Sequence, residues 1–163
     1  MEIVIILGLI FFNGILSMSE IAMVSARKSR LETAAKKGSK TAKTALRLAN
    51  EPDRFLSTIQ IGITLIGILT GLYSGEALAG DLARWLETIG IPQAHSLTLA
   101  KGIIVILVTY LTLILGELVP KHLGMNAPEK IARLIARPME VLSKIASPFV
   151  WLLYYSINYT SPM

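Results

Sequence analysis

The stretch LILGELVPKHLG, Leu113 to Gly124, constrains this chain more than any other. A long apolar run, Ile103 to Leu115, meets a glycine, a carboxylate, a proline and a lysine between Gly116 and Lys121. Glu117 thus falls at the end of what reads as a membrane helix. Pro120 has no N–H and restricts Val119, so regular helix is expected to end or break there. A carboxylate beside broken backbone suits a cation, because it supplies charge and freed carbonyl oxygens together.

Two further apolar runs give the same solvent class. Ile3 to Ala26 makes about 36 Å of helix, enough to cross a ~30 Å hydrocarbon core. Phe55 to Tyr73 carries no formal charge. The chain is 53% hydrophobic and only 17% charged, against about a quarter charged in a soluble domain. The expected fold is therefore an all-α membrane protein. Its three transmembrane helices cover about 3–26, 55–73 and 97–118. The first run begins with Glu2 rather than a basic segment and lacks a small-residue cleavage pattern, so it reads as a true span and not a signal peptide.

Each span carries polar residues on one stripe. Asn13, Ser17 and Glu20 share a face of the first, with Ser19 beside them. Gln60, Thr64, Gly67 and Gly71 share a face of the second. Gly67 and Gly71 form a G-x-x-x-G pair suited to close helix approach. The glycines and β-branched residues of this span suggest a helix that unwinds in part. The third span presents Tyr110, Ile114 and Glu117, flanked by Gly116. Each stripe also has a plainer reading as interhelical hydrogen-bond glue or a packing face.

Between the spans the charge pattern changes. Arg27 to Arg54 holds nine Lys/Arg and reads as a helical hairpin broken near Gly38 and Ser39. Ser74 to Lys101 holds two, with turn signals at Gly90, Pro92 and Ser96 and a short amphipathic helix in LAGDLARWLETIG. Five follow the third span. By the positive-inside rule the N-terminus is outside and the C-terminus cytoplasmic. The basic hairpin is then a cytoplasmic loop touching lipid headgroups, not a nucleic-acid site. That topology sets Ser17–Glu20, Gln60–Thr64 and Gly116–Pro120 at one membrane depth.

Residues after Asn126 read as a kinked amphipathic juxtamembrane helix over about 127–157, with Asn126 as its N-cap and Pro128 and Glu129 in its first turn. Ile131, Leu134, Ile135, Met139, Leu142 and Ile145 form its apolar stripe. A fourth crossing over 141–159 is the alternative, opposed by Lys144 and Pro148.

The convergent groups are hard oxygen donors, suited to Mg²⁺, Ca²⁺ or Na⁺. There is no cysteine, and the two histidines, His95 and His122, are far apart in sequence. No Ser/His/Asp set, phosphate-binding loop or His-based metal motif is present, so the chain does not read as an enzyme. Glu117 and Ser17 lead the candidate ligands, followed by Gln60, Thr64 and Glu20, with carbonyls near Gly62 and Gly116. Ser19, Asn13, Gly67, Gly71, Pro120 and Lys121 are assigned structural roles. Three spans are few for a transport path, so a homodimer is expected.

LSMSEIAMVSARKSRLE, FLSTIQIGITLIGILTG and ILGELVPKHLGMNAPEKIA, in that order, resemble the CorC/CNNM family of magnesium transporters over Phe11 to about Ser156. The resemblance implies a homodimeric domain of three spans and a juxtamembrane helix, exporting Mg²⁺ from the cytoplasm with coupling to Na⁺ entry. The family's S-x-S-E motif falls on Ser17, Ser19 and Glu20, and its G-E-L-V-P-K motif on Gly116 to Lys121. Where relatives carry asparagines in the second span, this chain has Ile63 and Thr64. The ligand there is Thr64, Gln60 or a carbonyl near Gly62. The family's cytosolic CBS domains, which bind ATP, are not within residues 1–163, which read as a single transmembrane domain; ATP is expected to act only through them. The competing reading is a non-transporting dimeric anchor for such sensor domains.

Overall fold

The computed structural model describes residues 1–160, and every regular element among them is helical. In chain order they are α1 (Glu2–Ser25), α2 (Lys28–Lys36), α3 (Lys40–Asn50), α4 (Pro52–Thr88) and α5 (Gln93–Leu113). A π-helical turn (Ile114–Leu118), α6 (Val119–Asn126) and α7 (Pro128–Thr160) follow. Three stretches are long and apolar enough to cross a membrane: α1, α4 and the continuous run Gln93–Asn126. Among the described residues α7 is not one of them.

The helices form two compact units. The first comprises Met1–Ile15 and Ile63–Pro120. Ile6 and Ile10 of α1, Ile66 and Ala79 of α4, and Ile104 and Val108 of α5 are buried in it. At one end α4 and α5 form a hairpin. Gly90 (φ 103°) sits where only glycine is relaxed, and Ile91 N–H donates back to Leu86 O at 3.1 Å. Ala83, Leu86 and Ala100 close that end. Ser96, expected as a turn residue, is buried inside α5 and donates to Glu87 Oε1 at 2.9 Å. Elsewhere the unit shows lipid-compatible side chains, such as Ile106 at 72% exposure. Outward apolar residues carry no penalty where the surrounding solvent is hydrocarbon.

The second unit comprises Leu16–Gly62 together with α6 from Lys121 and α7. Its α2–α3 pair turns at Gly38 (φ 96°), as the sequence suggested. Gly38 N–H donates to Ala35 O at 3.0 Å and Ser39 N–H to Ala34 O at 3.1 Å. Two orphan carbonyls are thereby satisfied, and the turn is fixed. Ser39 Oγ then caps α3 by accepting from Ala42 N–H at 3.2 Å.

α7 packs on α3 through small residues. Ala42, Ala45 and Ala49 of α3 and Ala132, Ala136 and Ala146 of α7 are buried. The expected α7 stripe is divided: Ile135 and Met139 are buried, while Leu134 and Ile145 are turned away, Leu134 being 75% exposed. Small side chains let two helices approach closely, so the alanines share the buried face with Ile135 and Met139. Leu134, Val141 and Ile145 stay apolar and outward.

Three sequence expectations are corrected, and a fourth is narrowed. At Pro120 the helix breaks without ending: the backbone widens into a π turn and continues to Asn126. α4 does not unwind; it is α-helical throughout. The short amphipathic segment before Gly90 is the last part of α4, not a separate helix. Asn126 closes α6 instead of capping α7, which starts at Pro128 with Glu129 in its first turn. Pro138 and Pro148 both lie inside α7.

Candidate functional site

Pro120 sets the local geometry of the first unit. In a regular α-helix the amide of residue 120 would donate to Gly116 O; proline has no such hydrogen, and its ring presses on that carbonyl. The chain responds with one wider turn. Val119 N–H reaches back to Ile114 O, which takes from Leu115 O its ordinary helical donor. Two successive carbonyls, on Leu115 and Gly116, are thus released from the α pattern.

α1 meets both of them. Asn13 Nδ2 donates to Gly116 O at 3.1 Å. A carbonyl can only accept, so the amide must present its nitrogen there. Asn13 Oδ1 is left buried without a protein partner among the described residues. One residue on, Gly14 brings the α1 backbone against the same turn. A Cβ added at Gly14 would lie 3.0 Å from Leu115 O and 2.9 Å from Pro120 Cγ. A Cβ at Gly116 would lie 3.1 Å from Asn13 Nδ2 and 3.4 Å from Ile10 O. The contact therefore needs glycine on both sides. Glu117 follows Gly116 within the π turn and is half-buried.

Of the residues singled out by sequence, Asn13, Thr64, Gly67, Gly71, Gly116, Glu117 and Pro120 belong to the first unit. Asn13, Gly116 and Pro120 are brought together, through Gly14 in the last case. Thr64, Gly67 and Gly71 lie on an exposed face of α4, and nothing would touch a Cβ at either glycine.

Ser17, Ser19, Glu20, Gln60, Gly62 and Lys121 belong to the second unit. Ser17 is 0% exposed, and its Oγ has no hydrogen-bond partner among the described residues. Ser19 is also buried, Glu20 and Lys121 are half-buried, and Gln60 is exposed. Gly62 faces the Leu16 side chain, whose Cδ1 would lie 2.8 Å from an added Cβ. A fourth close approach escaped the sequence reading. Gly124 of α6 sits on α1, with Met18 O only 2.8 Å from where a Cβ would stand. Gly14 and Gly124 gave no motif; only their Asn-Gly and Leu-Gly-Met contexts marked them as glycines inside helical pattern.

Among the described residues no three His, Cys, Asp or Glu side chains converge to hold a metal ion. A cation here would have to be met by one or two carboxylates with neutral oxygens. Asn13 Oδ1 and Ser17 Oγ fit that description. They are four residues apart on one face of α1, buried, oxygen donors, and without partners among the described residues. Each costs free energy in an apolar setting unless something polar meets it.

Comparison with known proteins supplies the rest. The chain is 47% identical over 158 residues to a UPF0053 protein of Synechocystis sp.. It is 32% identical over 152 residues to the UPF0053 protein YhdT of Bacillus subtilis, and 32% identical over 150 residues to the polyamine export protein of Escherichia coli K12. These matches take in 97%, 93% and 92% of this chain, but only 35%, 33% and 33% of the relatives, so the chain spans about a third of their length. The family profile described as the cyclin M transmembrane N-terminal domain matches residues 4–163. With three apolar helices and that match across nearly its whole length, the chain is a membrane protein of the CNNM family.

Proposed function

We propose that this chain forms the membrane pathway of a cation exporter, with Mg²⁺ as the transported ion. The observation that carries the reading is the pair of buried, unpartnered oxygens on α1, Asn13 Oδ1 and Ser17 Oγ. Glu117 is the proposed source of negative charge, and Glu20, Gln60, Thr64 and carbonyls at Gly62 and Gly116 are the further oxygen donors that this reading names. Such oxygens suit a hard cation, and Mg²⁺ retains some of its water when few carboxylates are offered. Na⁺ entry is the proposed driving gradient, with the N-terminus outside and the C-terminus cytoplasmic.

A homodimer accompanies this reading. Gln60 and Thr64 are exposed in the single chain, on a helix otherwise apolar enough to span a membrane. Polar side chains facing lipid are costly, so a second copy covering that face of α4 is the natural partner.

The test is ion flux from sealed vesicles carrying the protein and a Mg²⁺ indicator, with and without an opposing Na⁺ gradient. Mg²⁺ movement that accelerates with the gradient and falls to the empty-vesicle rate in Glu117→Gln is expected. Wild-type rates in that variant would remove Glu117 from the mechanism. No Mg²⁺ or Na⁺ movement in the parent would favour the dimeric membrane anchor.

One observation favours a second reading. The E. coli relative named a polyamine export protein is 32% identical over almost all of this chain. A polyamine is also a cation drawn to carboxylates, but it is long, and its ammonium groups donate hydrogen bonds to oxygen acceptors. Efflux of labelled putrescine from the same vesicles, unaffected by excess Mg²⁺, would select it.

A further inference from the structure

We propose that the second unit holds a binding site for a phosphate-bearing anion, in the hollow between α2, the Gly38 turn and α7. The hollow has a volume of about 790 Å³, within the ~300–1,000 Å³ usual for small-molecule sites. Arg30, Lys37 and Arg133 bring three cations to its wall, and Ser29, Thr33 and Ser39 bring hydroxyls. No carboxylate lines it.

The charge there is not neutralised by the protein. Glu129 bridges Arg30 at 3.8 Å, which answers one cation. Neither Lys37 nor Arg133 has a carboxylate partner among the described residues. Arg133 Nη2 donates to Ser39 Oγ at 3.1 Å, while its Nε is buried with no acceptor. The guanidinium is therefore held in position by a neutral hydroxyl and not by a carboxylate. The neighbouring hollow between α3 and α7, about 190 Å³, makes the contrast. It too is lined by cations, Arg47, Arg54 and Lys144, but Glu51 and Glu140 line it as well. Glu140 lies 3.3 Å from Arg47 and 3.5 Å from Lys144.

The geometry is built in advance. The Gly38 turn is closed by its two backbone bonds, and Ser39, which orients Arg133, also caps α3. The positive end of the 11-residue α3 adds to the same field. A guanidinium held by Ser39 and an ammonium on the turn, with the Ser29 hydroxyl on the same wall, match the several oxygens of a phosphate. An anionic lipid headgroup and a soluble phosphate compound share that chemistry.

Binding is measured on the delipidated chain in neutral detergent. The probes are inorganic phosphate, phosphatidylglycerol, and phosphatidylcholine as a headgroup without net charge. Saturable phosphate binding assigns the site to soluble phosphates. Binding of phosphatidylglycerol at least tenfold tighter than phosphatidylcholine, without phosphate binding, assigns it to lipid. Either requires that Lys37→Gln and Arg133→Gln weaken binding at least fivefold, and that Arg133→Lys recover part of the loss. Lys37 is exposed at the turn, so its variant tests the site even if Arg133→Gln fails to fold. Equal affinity for the two lipids with no phosphate binding overturns the proposal. So does an equal loss in Lys43→Gln, a cation on α3 outside the hollow, which would mean general attraction to positive charge.

Discussion

Asn13 Nδ2 donates to the carbonyl of Gly116 across 3.1 Å, joining α1 to the π turn 103 residues later. The carbonyl is the one that Pro120 deprives of a helical donor. One side chain thus repairs a backbone defect that another residue creates, in a segment where water cannot do so. Asn13→Leu is expected to leave that carbonyl unmet and to destabilise the protein by about 1–3 kcal/mol. A lowered unfolding midpoint in mild detergent checks this. An unchanged midpoint would mean that the bond contributes nothing net.

The converse variant is Pro120→Ala. It returns an amide to position 120, which competes with Asn13 for Gly116 O. If the turn relaxes from π to α, Glu117 rotates by about 100° relative to the helix that precedes it. Stability is expected to hold or rise by up to about 1 kcal/mol, since an interior proline is normally unfavourable. Cation flux is expected to fall by tenfold or more, because the carboxylate no longer faces as before. Full flux in this variant would show that the π turn is not needed to aim Glu117.

The contrast between these residues shows what was legible in the sequence. The apolar runs announced three long helices, and Gly38 and Pro128 marked a turn and a helix start that the backbone obeys. Proline at 120 announced a lost hydrogen bond. It did not reveal that a wider turn and an asparagine from α1 would make the loss good, because both repairs depend on packing between distant segments. The extent of α4 was hidden for a different reason. Its composition changes after Tyr73, and the change was read as an end although no residue there forbids helix. The buried face of α7 is legible only in part: Ile135 and Met139 mark it, but alanine carries little hydropathy, and the outward Leu134 and Ile145 weigh equally in the pattern. In the candidate site, Asn13 and Ser17 were legible as polar residues in an apolar helix. That Asn13 Oδ1 and Ser17 Oγ lack protein partners was not, since partners belong to tertiary structure.

Gly124 gives a purely steric prediction. A Cβ at this position would stand 2.8 Å from Met18 O and would collide with the Ile21 side chain. A backbone oxygen inside a helix cannot swing aside, so α6 must shift from α1. Gly124→Ala is expected to cost about 1–3 kcal/mol, the usual range for overpacking. Gly62→Ala is expected to cost less than that, because the atom it meets is the movable end of Leu16. Comparing the unfolding midpoints of the two variants checks the order; a reversed order would contradict the packing described.

Glu129 gives the pH prediction. Burial alone raises its pKa, but the N–H groups of Glu129 and Arg27 and the charges of Arg30 and Arg27 outweigh it and hold the carboxyl below its ordinary value. Arg27 N–H lies 3.3 Å from Oε1. The folded state therefore binds this proton less readily than the unfolded chain does. Its contribution is fully present above the ordinary glutamate range and is lost as pH falls through that range to the depressed folded value. Because the ion pair with Arg30 is exposed on the arginine side, the contribution is about 0.5–1 kcal/mol. Glu129→Gln should lower the unfolding midpoint at pH 7 and leave a smaller difference from the parent at pH 4, closing further under more acidic conditions. A gap between parent and variant that stays constant, or widens toward low pH, would show that the carboxylate is not held by these groups in the folded protein.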